Sequence, residues 1–249
     1  CMDNQTMGCQ RDGAFQEYIT MPIERVYDGK GMDAKTLAAI EPFCISYHGV
    51  SRANIKPGDR VLDVCAAPGG KSFAAAMCMQ DQGEIHACDL HAHKKALIEA
   101  GAARLGLQSI TTQVLDGKKP RKGWEERFDA VLADVPCSGL GVIRKKPEIR
   151  YKDPAELTDL PQIQGDILDN VSRYVKPGGV LLYSTCTLLQ AENEDVVTAF
   201  LAQHPEYQLE SFPLPGPLGE VAAGQCTLWP QRLQTDGFFL AKLRKEEAK

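Results

Sequence analysis

The chain has 249 residues, 43% hydrophobic and 24% charged, an ordinary globular composition with room for one large α/β domain or two small ones. No run of about 18 apolar residues occurs, so a membrane-spanning helix is not expected. A formal net charge of −5 excludes a wholly basic surface, so any nucleic-acid contact must come from a local patch.

The first 56 residues carry weak signals. Residues 12–21 (DGAFQEYITM) suggest an extended segment, and 33–41 (DAKTLAAIE) suggest a short helix capped by Asp33. From residue 57 the pattern becomes regular. RVLDVC (60–65) is a short apolar run, as expected of a strand buried on both faces. AAPGGKS follows, and then FAAAMCMQ, a good helix former. EIHACDL (84–90), SITTQVLD (109–116) and FDAVLAD (128–134) read as three more strands, with a helix over 93–106 between the first two. Leu160, Ile163, Ile167, Val171 and Tyr174 recur at helical spacing within 157–175, and KPGG (176–179) stops that helix. VLLYST (180–185) is a fifth strand and AENEDVVTAFLAQH (191–204) a helix. Residues 211–236 read as a long loop, and GFFLAKLRK (237–245) as a terminal strand.

Alternating strands and helices predict a mostly parallel sheet covered on both faces, with ligands at the carboxyl ends of its strands. That edge collects Cys65 to Gly70, Asp89, Asp116, Asp134 to Cys137, and Cys186.

The turn DVCAAPGGK (63–71) has neither P-loop nor G-x-G-x-x-G spacing. Gly69 and Gly70 are expected to let a ligand approach the backbone. Asp89 is placed to accept hydrogen bonds from ribose hydroxyls, and Asp116 to meet an adenine edge. A glycine turn and a ribose acid without a phosphate-binding lysine pattern suggest S-adenosylmethionine. The alternative is that each aspartate only caps the segment that follows it.

Nine cysteines stand at positions 1, 9, 44, 65, 78, 88, 137, 186 and 226, without a C-x-x-C pair. This argues against a disulfide framework and for reduced thiols in the cytoplasm. Cys44, Cys78, Cys88 and Cys226 read as small buried hydrophobes. Cys137 and Cys186 differ, because each lies in a polar turn, VPCSG (135–139) and STCT (184–187), directly after a strand. Many amino-group methyltransferases hold an aromatic where Cys137 stands, and a thiol there implies different chemistry. Cytosine C5 becomes nucleophilic only after a thiolate adds to C6, a step assisted by an acid near N3. A base must then remove the C5 proton before the thiol leaves. Asp134, Cys137 and Cys186 are the groups available.

CAAPGGK (65–71), DVPCSGLGVIRKKPEIR (134–150) and YSTCT (183–187) resemble the motifs of the NOL1/NOP2/Sun family of RNA cytosine-C5 methyltransferases, and the resemblance covers about residues 60–245. It implies a Rossmann-like, S-adenosylmethionine-dependent methyltransferase fold: α/β, with a mostly parallel seven-stranded sheet and helices on both faces. It further implies that Cys186 is the covalent nucleophile and that Cys137 assists product release. Cys65, Ala66, Ala67, Pro68, Gly69, Gly70, Lys71, Asp89, Asp116 and Asp134 take the cofactor-binding positions. The substrate implied is RNA, foremost small-subunit ribosomal RNA. Transfer RNA, or a cofactor- and RNA-binding module without turnover, are the alternatives. Residues 57–249 are then the methyltransferase catalytic domain, expected as a monomer and either part of a longer protein or a divergent short one, and 1–56 an N-terminal extension, a remnant of an RNA-binding subdomain.

Arg144, Lys145, Lys146 and Arg150 crowd the loop after Cys137 and are expected to bind RNA phosphates. Lys118, Lys119, Arg121 and Lys122 form a second basic run. His86, Cys88, His91 and His93 lack the paired spacing of a zinc site, and no metal is expected.

Overall fold

A computed structural model describes residues 28–214, 219–233 and 235–247, together with residues 17, 18, 23 and 26. The extended segment expected over 12–21 lies outside the described residues except for Glu17 and Tyr18. The chain divides into Cys1–Ile40 and Glu41–Lys249. In the first unit a turn closes from Met32 N–H to Gly29 O (2.9 Å) and leads into α1 (Ala34–Val50). The helix runs well past the expected end at residue 41. Its later half lacks the periodicity of an amphipathic helix. Packing of Val50, with Ala53 and Ile55 beyond it, into the core of the second unit supports it instead.

The second unit is built on β1 (Arg60–Asp63), β2 (Glu84–Asp89), β3 (Ile110–Val114), β4 (Phe128–Asp134), β5 (Val175–Thr185), β6 (Tyr207–Leu209), β7 (Phe212–Leu214), β8 (Gly219–Val221), β9 (Gln225–Leu228) and β10 (Phe238–Lys245). The main sheet has the order β3-β2-β1-β4-β5-β10-β6. The first five strands run parallel, and β10 is antiparallel to both of its neighbours. An eighth strand, β9, also pairs with β10. Strand order reverses between β1 and β4, which opens a crevice at their carboxyl ends.

Helices cover both faces. On one, α2 (Gly70–Cys78) and α3 (Ala92–Leu105) bury Ala74, Ala75, Ala76, Ile98 and Ala102. On the other, α4 (Leu160–Ser172) and α5 (Glu194–Gln203) bury Ile167, Leu168, Val171, Val196, Val197 and Phe200. β4 is almost wholly buried, which accounts for its continuous apolar run.

Two segments differ from the sequence reading. Lys176 to Gly179 does not end a helix but forms a bulge inside β5, where pairing with β4 jumps from Phe128↔Val175 to Ala130↔Val180. Pro177 cannot donate to the ladder and Gly178 has φ of +74°, so the strand leaves its neighbour and returns. Residues 211–236 are not a bare loop. They hold the β7–β8 hairpin, β9 and the short α6 (Pro230–Leu233). Phe212, Leu214 and Leu228 pack there against Leu240 of β10.

Candidate active site

Asp134 and Ser184 are register partners at the ends of β4 and β5, so the two cysteine turns leave the sheet side by side. Cys137 Sγ lies 3.3 Å from Cys186 Sγ, and the Cys186 backbone N–H donates to Cys137 Sγ over 3.3 Å. The two thiols titrate in opposite directions. The hydrogen bond between them, and then burial, raises Cys137. The same bond lowers Cys186, helped by the charge of Lys71. The hydrogen bond and the charge of Lys71 thus favour ionisation of Cys186 over Cys137.

Lys71 Nζ binds Asp134 Oδ2 at 2.6 Å, and Ser184 Oγ donates to Asp134 Oδ1 at 2.7 Å. Burial pulls the Lys71 ammonium down, but Asp134 more than offsets this through charge and hydrogen bond, and the net shift is upward. A fixed cation and a carboxylate thus stand beside the thiol pair. Asp63, fully buried at the end of β1, accepts from Ser72 Oγ at 2.7 Å through Oδ2 and has no partner for Oδ1. Burial pushes its carboxyl up to about 7, against the hydrogen bond from Ser72.

The turn from β1 to α2 carries Cys65, Ala66, Ala67, Pro68, Gly69, Gly70 and Lys71. Ala66 N–H donates to Cys88 O and Gly69 N–H to Ala66 O, both at 2.7 Å. Burial raises the Cys65 thiol. The glycines serve the protein's own packing first. Gly69 has φ of +113°, and a Cβ there would strike the Phe73 ring; a Cβ at Gly70 would strike Ser46 Oγ. The amides of Gly70, Lys71 and Ser72 open α2 without a backbone acceptor among the described residues, an arrangement suited to an anion.

Asp89 is buried at the end of β2, and its Oδ1 accepts from His91 N–H at 3.0 Å, which leaves Oδ2. Asp116 lies two residues beyond the end of β3 and accepts from Lys118 N–H at 3.1 Å, with Lys119 Nζ at 3.4 Å. Both aspartates therefore also cap the segments that follow them.

The basic loop is only partly open. Arg144 and Lys145 pair with the buried Asp236 at 3.4 and 3.0 Å. Lys146 and Arg150 are exposed. Tyr151 between Arg150 and Lys152 is 86% exposed, while Lys152 Nζ donates to Ser138 O at 3.1 Å. In the second basic run, Arg121 stacks on the Trp124 ring, 4.4 Å from its centroid. His86 meets Trp124 and Phe128 edge to face, and no group of three metal-ligating side chains occurs among the described residues.

Sequence reasoning missed the polar cluster behind the cysteine turns. Glu192 Oε2 accepts from Ser138 N–H at 2.9 Å and from Gln164 Nε2 at 2.8 Å. Thr187 Oγ1 meets Ser138 Oγ at 2.6 Å, and Asn193 accepts from Thr185 Oγ1 at 2.6 Å. The one available signal was a polar run, QAENED (190–195), directly after a strand-end turn.

The strand order, the reversal between β1 and β4 and a site along the carboxyl edge are those of the Rossmann-like fold of S-adenosylmethionine-dependent methyltransferases. Residues 51–244 match the model of the family described as 16S rRNA methyltransferase RsmB/F, and the chain belongs to that family. A probable ribosomal RNA small subunit methyltransferase B of Bacillus subtilis is 42% identical over 198 residues, covering 77% of this chain and 44% of that protein. Ribosomal RNA small subunit methyltransferase F of Serratia proteamaculans is 35% identical over 79% of this chain and 42% of its own length. The crystal structure of NSun6 from Pyrococcus horikoshii with SFG superposes with a TM-score of 0.71 at 29% identity, over 82% of this chain and 52% of that one. The chain thus spans less than half the length of these two ribosomal RNA methyltransferases. Among the described residues no helix is long and apolar enough to cross a membrane.

Proposed function

We propose that residues 57–249 form the catalytic domain of an S-adenosylmethionine-dependent methyltransferase that modifies C5 of a cytosine in small-subunit ribosomal RNA. The observation that carries this reading is the thiol pair, 3.3 Å apart and polarised in opposite directions beside the Lys71–Asp134 ion pair. The first-turn amides of α2 suit the carboxylate of the methionine moiety, the unpartnered Asp63 Oδ1 its amino group, Asp89 Oδ2 a ribose hydroxyl and Asp116 the adenine edge. Bound there, S-adenosylmethionine supplies an electrophilic methyl group.

Cys186 Sγ attacks C6 of the cytosine, and the displaced electron pair passes through C5 and C4 to N3. The Lys71–Asp134 pair is the acid nearest the thiols and holds a proton for N3. After methylation the Lys71–Asp134 pair, having given its proton to N3, takes the C5 proton; the C–H electron pair restores the C5–C6 double bond, the C6–S bond breaks and the Cys186 thiolate leaves. Cys137, in contact with Cys186 Sγ, assists this release. The target base must leave its stack to reach a half-buried thiol. Lys146 and Arg150, with Tyr151 as a stacking face, are the proposed RNA contacts. Arg144 and Lys145 join them at the cost of their bonds to Asp236.

RNA containing 5-fluorocytosine has no C5 proton to lose, and tests the scheme. A denaturation-resistant adduct is expected with the unaltered chain and with Cys137→Ala, and none with Cys186→Ala. An adduct that survives Cys186→Ala and vanishes in Cys137→Ala would reverse the two roles.

A further inference from the structure

We propose that Glu192 is a positioning residue that holds the Cys137 turn against Cys186 and so governs release of the methylated product. The inference rests on the two cysteine roles given above. Glu192 ends a single 3-10 turn, Gln190–Glu192, between the Cys186 turn and α5, and its side chain is buried with the residue only 1% exposed. Its carboxylate reaches the other cysteine turn. Oε2 accepts from the Ser138 N–H, and the same oxygen accepts from Gln164 Nε2 of α4. That Gln164 amide also donates to Pro136 O at 2.9 Å. The residues before and after Cys137 are therefore both tied to one buried carboxylate. The Glu192 carbonyl in turn accepts from Tyr183 Oη at 2.6 Å, two residues before the end of β5. One residue thus joins the strand that leads to Cys186 with the turn that carries Cys137.

Filling space does not explain this arrangement. Glu192 Oε1 and Gln164 Oε1 are both buried without a partner, so the cluster bears a desolvation penalty that apolar side chains of like volume would avoid. What the carboxylate provides is reach and direction. It fixes Pro136 and Ser138, and with them the 3.3 Å approach of the two sulfurs. When that approach is lost, Cys186 gives up one hydrogen bond but keeps the Lys71 charge and still attacks, while the C6–S bond breaks slowly.

The test uses 16S ribosomal RNA with ordinary cytosine and follows both turnover and denaturation-resistant adduct. In Glu192→Ala, turnover is expected to fall about 100-fold, as misplacement of a reacting group by about 1 Å does, while covalent adduct accumulates. Glu192→Gln keeps an acceptor of the same reach and is expected to restore release. Glu192→Asp is one methylene shorter and is expected to behave like Ala. If Glu192→Ala does not fold, Gln164→Leu removes the Pro136 tether while keeping the carboxylate, and the same accumulation of adduct is expected. The proposal is overturned if a folded Ala or Leu variant loses adduct and turnover in parallel, or if Gln fails to rescue. Absence of any adduct between the unaltered chain and fluorocytosine RNA would instead overturn the cysteine chemistry itself.

Discussion

Two thiols sharing one hydrogen bond cannot both ionise easily, and in this pair the shared bond raises Cys137 and lowers Cys186. The nucleophilic form of a thiol is the deprotonated one, so a lowered Cys186 gains reactivity as pH rises and levels off before an ordinary thiol, near 8.5, would. Alkylation by iodoacetamide, resolved by peptide mass spectrometry, checks this. Cys186 should reach half its plateau rate at a lower pH than an ordinary thiol, and Cys137 at a higher one. Lys71→Met removes the nearby cation and should move the Cys186 curve to higher pH; an unchanged curve would deny Lys71 that role. Cys137 and Cys186 were legible in the sequence because each sits where an apolar strand gives way to a polar turn, whereas Lys71, in the first turn of α2, is tied to them only through its ion pair with Asp134. Glu192 was not legible. Its role depends on meeting Ser138, 54 positions away, and nothing in a local polar run announces that meeting.

The cysteine turns are held at the level of elements by backbone, and glycine is required there. Gly141 N–H donates to Cys186 O at 2.9 Å, and Gly237 N–H donates to Gly141 O at 2.8 Å, so the loops after β4 and β5 and the start of β10 are stitched together. A Cβ on Gly141 would overlap Gly237 O and lie 2.8 Å from Cys186 O. These are backbone atoms and cannot swing aside. Gly141→Ala should therefore cost about 1–3 kcal/mol and lower the yield of trapped adduct. Gly165→Ala, inside α4 with nothing within 4 Å of the new methyl, should stabilise by up to about 1 kcal/mol. Thermal melts of both variants should move in opposite directions; equal shifts would mean that the stitching does not constrain the loops. β1, β4 and the second half of β5 were readable as apolar runs, and β2 and β3 from their places on either side of the helix over 93–106. The bulge in β5 was not, since a Lys-Pro-Gly-Gly stretch normally ends an element and only the pairing with β4 on both sides of it reveals a continuous strand. Likewise β7, β8 and β9 are three or four residues long, too short for a period to show, and are held by Leu240 of a strand that follows them in the chain.

For the whole molecule, the proposed RNA contact would divide its work between charge and shape. A net charge of −5 disfavours a polyanion over the surface as a whole, so the proposed contact relies on a local patch at the carboxyl edge of the sheet. There Asp236 already engages Arg144 and Lys145, while Lys146 and Arg150 lie exposed on the same loop. Pinned beside them by the Lys152–Ser138 bond, Tyr151 offers a ring that covers nothing of the protein. Charge and stacking leave different marks on a salt titration. For single-stranded RNA each lost phosphate contact reduces the slope of log affinity against log salt by about 0.7, so the double variant Lys146→Ala with Arg150→Ala should lose about 1.4. Tyr151→Ala should instead weaken binding by about 1–3 kcal/mol at every salt concentration and leave the slope unchanged, and Tyr151→Phe should keep the affinity, because stacking needs the ring and not the hydroxyl. Fluorescence anisotropy of a labelled oligonucleotide across a range of potassium chloride concentrations measures both quantities. A slope that changes with Tyr151→Ala, or an affinity lost with Tyr151→Phe, would mean that this residue holds the loop rather than a base.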